Sequence, residues 1–133
     1  MWRRIPILTA ALLGSVACRG LLILTPAPEW AVEANVEVRR TRSAYFERAT
    51  ALVAGLDDPA NDDATVALAL AHACAPEYHA YAKARSALRG MTDPQRATSL
   101  QALLIPKEKI RATLPIVQAH RAGKPLRRKD YPG

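Results

Sequence analysis

Along most of this 133-residue chain the apolar positions recur at helical spacing, and prolines cut the pattern into short pieces. The clearest piece runs from Asn61 to Leu88. Asn61 or Asp62 can cap its start, because a short side-chain oxygen accepts from the free N–H groups of a first turn. Asp62 and Asp63 also suit the positive end of the helix dipole. Alanine, the strongest helix former, dominates the positions after them. Val66, Leu70 and Cys74 stand at i, i+4 and i+8 with Ala69 and Ala73 beside them, which predicts one apolar stripe. Pro76 interrupts the stripe, since it has no N–H and its ring meets the carbonyl of His72. Either one helix kinks there, or one ends near Cys74 and a second starts with Pro76 in its first turn.

The remaining pieces read the same way. From Pro28 to Gly55 the spacing of Tyr45, Ala49, Leu52, Val53 and Leu56 predicts a helix. Val32, Ala34, Val36 and Val38 alternate with polar residues, a strand-like pattern with no second strand to pair with. Gly55 to Asn61 is a turn with Pro59 as breaker. After the central stretch Gly90 is the expected stop. Thr92-Asp93-Pro94 opens another helix, read as an Asp cap followed by Pro. Ala97, Leu100, Leu103 and Leu104 supply its apolar side, and Pro106 ends it. Lys107 to Ala122 continues as a helix with Ile110, Leu114 and Val117 on one face, bent at Pro115. Gly123 and Pro125 end it. The fold class expected is therefore all-α: a small bundle of three to five proline-bent helices over residues 28–123. A basic tail, residues 124–133, is expected to be disordered.

The first 27 residues have another pattern. Arg3 and Arg4 precede a thirteen-residue uncharged run from Ile5 to Ala17, then Cys18, Arg19, Gly20 and a second apolar run from Leu21 to Leu24. A basic start before such a run reads as a secretory signal, with Ser15 and Ala17 as small residues before a cleavage point. The alternative is an uncleaved membrane anchor from Ile5 to Thr25. Ser15-Val16-Ala17-Cys18 also resembles the lipobox of bacterial lipoproteins, which implies lipidation at Cys18. The family prefers Leu where Ser15 stands. All three targeting readings keep Arg3 and Arg4 inside and put the rest outside the cytoplasm, in the periplasm or anchored at the inner membrane. A plain buried N-terminal helix is the fourth reading.

Composition narrows the chemistry. Half of the residues are apolar, but alanine inflates that share, and aromatics are only 5%. The core is therefore expected to be modest. The net charge of +7 is unevenly spread. Residues 20–82 hold four arginines against nine acids, and residues 83–133 hold twelve lysines and arginines against three. Such a split means that the halves attract each other or that the basic half meets an anionic partner. Lys124, Arg127, Arg128 and Lys129 are the candidate contacts for an anionic surface, such as lipid head groups. Arg39, Arg40 and Arg42 read as a solvated helix face.

His72, Cys74, Glu77 and His79 are residue types that bind zinc. The histidines, however, are about 10 Å apart on a straight helix, too far for one ion. No metal or cofactor is expected. A Cys74–His120 pair would need the fold to bring it together and a third group to orient the base. Four serines carry no nucleophile-elbow pattern, and Asp57-Asp58 and Asp62-Asp63 read as turn and cap residues. No enzyme is expected. Cys74 is read as a buried free thiol, with a disulfide, to Cys18 or to a second chain, as the alternative.

Ala73-Cys74-Ala75-Pro76-Glu77-Tyr78, preceded by Asp-Asp and an alanine-rich helix, resembles a segment of short, uncharacterised exported helical proteins of proteobacteria. That resemblance covers Leu56 to Tyr81 and implies an exported all-α protein without an assigned activity. The function expected is a small cell-envelope interaction or structural protein, with a protein partner, self-association or an anionic lipid surface as its contact. The alternative is a basic module binding nucleic acid or an anionic surface through residues 83–133. Aromatics for base stacking are missing there apart from Tyr131.

Overall fold

A computed structural model of the chain describes residues 29–88 and 91–131. The expected signal or anchor segment, Cys18 and the Gly90 stop lie outside them. The described residues are all-helical: α1 (Glu29–Leu56), α2 (Asp63–Ala73), α3 (Ala75–Ala87), α4 (Asp93–Leu103) and α5 (Pro106–Arg121), then a short 3-10 turn, Arg128–Asp130. Among them no helix is long and apolar enough to cross a membrane.

Local chemistry sets most boundaries. Asp62 caps α2, its carboxylate accepting from the Thr65 N–H at 2.7 Å. The Pro76 question resolves as a break: Cys74 leaves helical geometry (φ −105°, ψ 28°) and Pro76 falls in the first turn of α3. Thr92, not Asp93, occupies the cap position of α4, and its N–H donates to Gln95 Oε1 at 3.0 Å. Pro106 starts α5, and Pro115 is accommodated inside it. Gly123, at φ 67°, takes the left-handed position after α5 that side chains disfavour. There its N–H bonds the His120 carbonyl, and the next N–H, of Lys124, reaches back to Ala119, closing the helix end. The alternating valines near Val32 sit in helix α1, leaving Val32 and Val36 about half exposed.

The core lies where four of the five helices meet. α2 packs chiefly on α5, and α1 on α3, so each of these four helices finds its main partner away from its neighbour in sequence. Val66, Leu70 and Cys74 are fully buried, as the stripe requires. The small residues beside them differ from expectation: Ala67 and Ala71 are buried, while Ala69 and Ala73 face out. An α-helix turns 100° per residue, so i+1 and i+5 flank this stripe on the side of its partners. α5 contributes Thr113, Ile116 and Val117, with Ile110 and Leu114 at the edge. α4 buries none of its residues fully and rests on α3 through Leu100 and Leu103.

Every tyrosine and the single phenylalanine of the chain gather in one cluster. Tyr45 lies 5.5 Å from Phe46, 5.3 Å from Tyr78 and 6.2 Å from Tyr81, ring centre to ring centre. Tyr131 stacks on Phe46 at 4.6 Å. This last contact corrects the expectation of a disordered tail. Leu126 and Tyr131 pack against the core, and the 3-10 turn between them is closed by the Asp130 N–H on the Arg127 carbonyl at 2.7 Å. One aromatic residue near the end of a polar segment is enough to dock it, because a suitable ring face is exposed beneath.

Candidate functional site

The residues that sequence reasoning singles out do not converge. Cys74 is fully buried with a free thiol, whereas His72 and His79 are exposed. Burial pushes the Cys74 thiol above its ordinary range, and the Glu77 carboxylate adds to the shift. Among the described residues no three acids, histidines or cysteines group as metal ligands do. His120 faces Asp57, with Nε2 3.6 Å from a carboxylate oxygen, and does not pair with Cys74. Lys124 and Lys129 are exposed. Arg127 reaches Asp130 at 3.4 Å, and Arg128 reaches the Ser43 hydroxyl at 3.3 Å and Glu47 at 3.9 Å. Both arginine side chains stay 74% exposed, so they remain open to solvent. Of the other arginines singled out, Arg39 and Arg40 are exposed and Arg42 is half-buried.

Two polar centres emerge that spacing could not show. The first is a clamp on the turn between α1 and α2. The Arg121 guanidinium donates to Asp57 Oδ1 at 2.6 and 3.0 Å and to Asp63 Oδ1 at 2.6 Å. It also donates to the backbone carbonyls of Asp58 (3.1 Å) and Asn61 (2.9 Å). The planar fork of arginine suits this many acceptors. The hydrogen bond from Arg121 holds the Asp57 carboxyl below the usual carboxylate range. Arg121 belongs to the basic half and both aspartates to the acidic half, so the charge split is used, in part, inside the domain. Its acceptors are all protein groups, which marks it as structural.

The second centre lies where α3 and α5 diverge. Phe46, Tyr81, Arg85, Glu108, Arg111 and Pro115 line a half-enclosed cleft of about 300 Å³. Beyond Arg85 and Glu108 the depression continues into a second cleft of about 310 Å³ walled by Ala102, Leu103 and Ile105. Arg85 and Glu108 form the shared wall. The Arg85 guanidinium, the cationic part of that wall, lies over the Tyr81 ring, 5.6 Å from the ring centre, a cation–π distance. Glu108 is held by Arg111 at 3.7 Å. In the nearby core, the Tyr78 hydroxyl donates to the Leu103 carbonyl at 2.7 Å. Tyr45 donates to the Thr113 hydroxyl, which itself donates to the Lys109 carbonyl at 2.7 Å. Burial pushes Tyr78 up to about 12 and Tyr45 further still, so both remain phenols at any ordinary pH. The buried hydroxyls are structural struts, whereas Arg85 and Arg111 line the cleft itself.

A third depression, about 520 Å³, runs between the start of α1 and the end of α3, with Trp30, Glu37, Met91 and Arg96 on its walls. Trp30 is 48% exposed.

The class these observations define, for the described residues, is an all-α fold of five helices with an aromatic core and a cleft that carries two arginines and a glutamate. Comparison with protein-family models, with curated proteins and with solved structures finds no match to this chain.

Proposed function

We propose that this chain is a small exported cell-envelope protein that acts by binding or support, without catalysis. Residues 1–27 serve as its export signal or membrane anchor, and the helical domain works on the outer side of the membrane. One observation supports this reading above others: the first described turns of α1, which follow the basic-then-apolar segment in sequence, expose Trp30, Val32 and Val36 at 48%, 51% and 52%. Tryptophan favours the membrane–water interface, where its ring is part apolar and part polar. The resemblance of Leu56–Tyr81 to exported helical proteins points the same way. A reporter active only in the periplasm, fused after Ala27, is expected to give signal. A signal from a cytosol-only reporter at the same place defeats the proposal.

The second reading, an anionic-surface or nucleic-acid module in residues 83–133, draws on the exposure of Lys124, Arg127, Arg128 and Lys129. Against nucleic acid stands Tyr131, whose ring is already stacked on Phe46. Strong retention on a phosphate matrix, released only by high salt, together with a cytosolic location, would favour this second reading.

A further inference from the structure

We infer that the double cleft around Arg85 is a binding site for a small soluble amphiphilic acid, with a carboxylate or phosphate head and a short apolar body. Arg85 is half-buried, and among the described residues its N–H groups meet no acceptor; its neighbour is the face of Tyr81. An aromatic face attracts the charge but leaves the fork of N–H donors unspent. Arg121 shows the contrast within the same domain, its donors filled by two carboxylates and two carbonyls. A half-buried guanidinium with open donors is matched best by a carboxylate or a phosphate, which accepts two parallel hydrogen bonds.

The walls set the rest of the ligand. Glu108 lies on the same trough, but Arg111 stands 3.7 Å from it, so the three charged groups sum to a single positive charge. A head with one or two negative charges fits, and a cationic head does not. On one side of Arg85 stand Phe46 and Pro115. On the other stand Leu103 and Ile105, the latter 46% exposed for a large aliphatic residue. An apolar body along that side gains from covering Ile105. The two volumes, about 300 and 310 Å³, are at the small end of ligand sites and hold a short chain or single ring rather than a lipid's tails.

The test uses the full chain with hexanoate and hexyl phosphate as probes, read by calorimetry and by the Tyr81 and Ile105 signals in NMR spectra. One saturable site per chain is expected for both. Inorganic phosphate is expected to bind at least about tenfold more weakly, since it lacks the apolar body. Arg85→Gln should weaken both probes by about tenfold or more, as loss of a charge-assisted pair predicts, and Arg85→Lys should recover part of the loss. Ala102→Trp, at an exposed position on the apolar wall, should block the body while keeping the native melting midpoint. Equal binding of hexylammonium, no change in a folded Arg85→Gln, or silence of Tyr81 and Ile105 on titration overturns the inference. Should Arg85→Gln fail to fold, the Ala102→Trp result and the titrated signals of the unaltered chain decide. Displacement of bound hexanoate by phosphatidylglycerol vesicles would make the ligand a lipid head group and overturn the soluble-acid assignment.

Discussion

Arg121 on α5 grips Asp57 at the end of α1 through two N–H donors on one carboxylate oxygen, at 2.6 and 3.0 Å. The contact spans 64 residues of sequence and ties the turn before α2 to the last turn of α5. Its pH dependence has a definite sign. The Asp57 carboxyl is depressed below its ordinary value, first by the Arg121 hydrogen bond. A depressed carboxyl contributes stability above the ordinary carboxylate range, near pH 4, and loses it as pH falls through the folded value. Arg121→Gln is therefore expected to lower the melting midpoint at pH 6, and the gap to the unaltered chain should shrink toward pH 2. Melting curves at half-unit steps check this; a gap that stays constant with pH goes against it.

The buried phenols give the opposite edge of the profile. Tyr78 is raised to about 12 by burial, and Tyr45 more. A raised phenol contributes stability that is complete below the ordinary tyrosine value, near 10, and is lost as pH rises through the folded one. Unfolding between pH 10 and 12 should release tyrosinate absorbance in a cooperative step. Tyr78→Phe removes the bond to the Leu103 carbonyl, which should cost about 1 kcal/mol and loosen α4 first. Amide exchange resolved along α4 reads this directly, and unchanged protection there contradicts it.

Tyr131 is expected to matter for folding. Its ring pair with Phe46 is worth about 0.5–1.5 kcal/mol beyond area burial. Truncation after Lys124 also removes Leu126, so the midpoint should fall by several degrees, at about 4–8 °C per kcal/mol for a domain of this size. A truncated chain that melts with the full one would mean the tail does not hold the core.

Cys74 sits with no exposed surface at the bend between α2 and α3. Cys74→Ala should cost about 1 kcal/mol, since it leaves a small cavity. A bulky thiol reagent should label the native protein slowly at pH 7 and the urea-unfolded protein at once. Fast native labelling counts against this packing.

The features that sequence reveals are the local ones. A cap at Asn61 or Asp62, an interruption at Pro76 and the Gly123 stop depend on a few adjacent residues, and so does the buried run of Val66, Leu70 and Cys74. The choice of Asp62 over Asn61 and of a break over a kink needs the backbone. The all-α class and most boundaries are therefore legible in the sequence. Thr92 escapes it because Asp93 is also a good cap, and only the backbone decides between neighbours. The docked tail escapes it because a single tyrosine among charges gives no periodic signal. The cleft is hidden for another reason. In sequence Arg85 and Arg111 are two of the twelve lysines and arginines of residues 83–133, and their distinction lies in Tyr81 beneath one and Glu108 beside the other. A tyrosine four residues before an arginine on a helix is the one available hint.

The pairing of α2 with α5 and of α1 with α3 also bears on when the chain can fold as it is made. A chain released as far as residue 105 contains α1 to α4 but not α5, on which α2 chiefly packs. Arg121, which fastens the turn at Asp57, comes later still. Synthesis proceeds from the N-terminus at about 5–20 residues per second, so the early helices wait for the last for some seconds at most. During that wait α1 and α3 can already pair, while α2 still lacks its chief partner. Closure of the core therefore waits for α5 and follows the synthesis of residue 121.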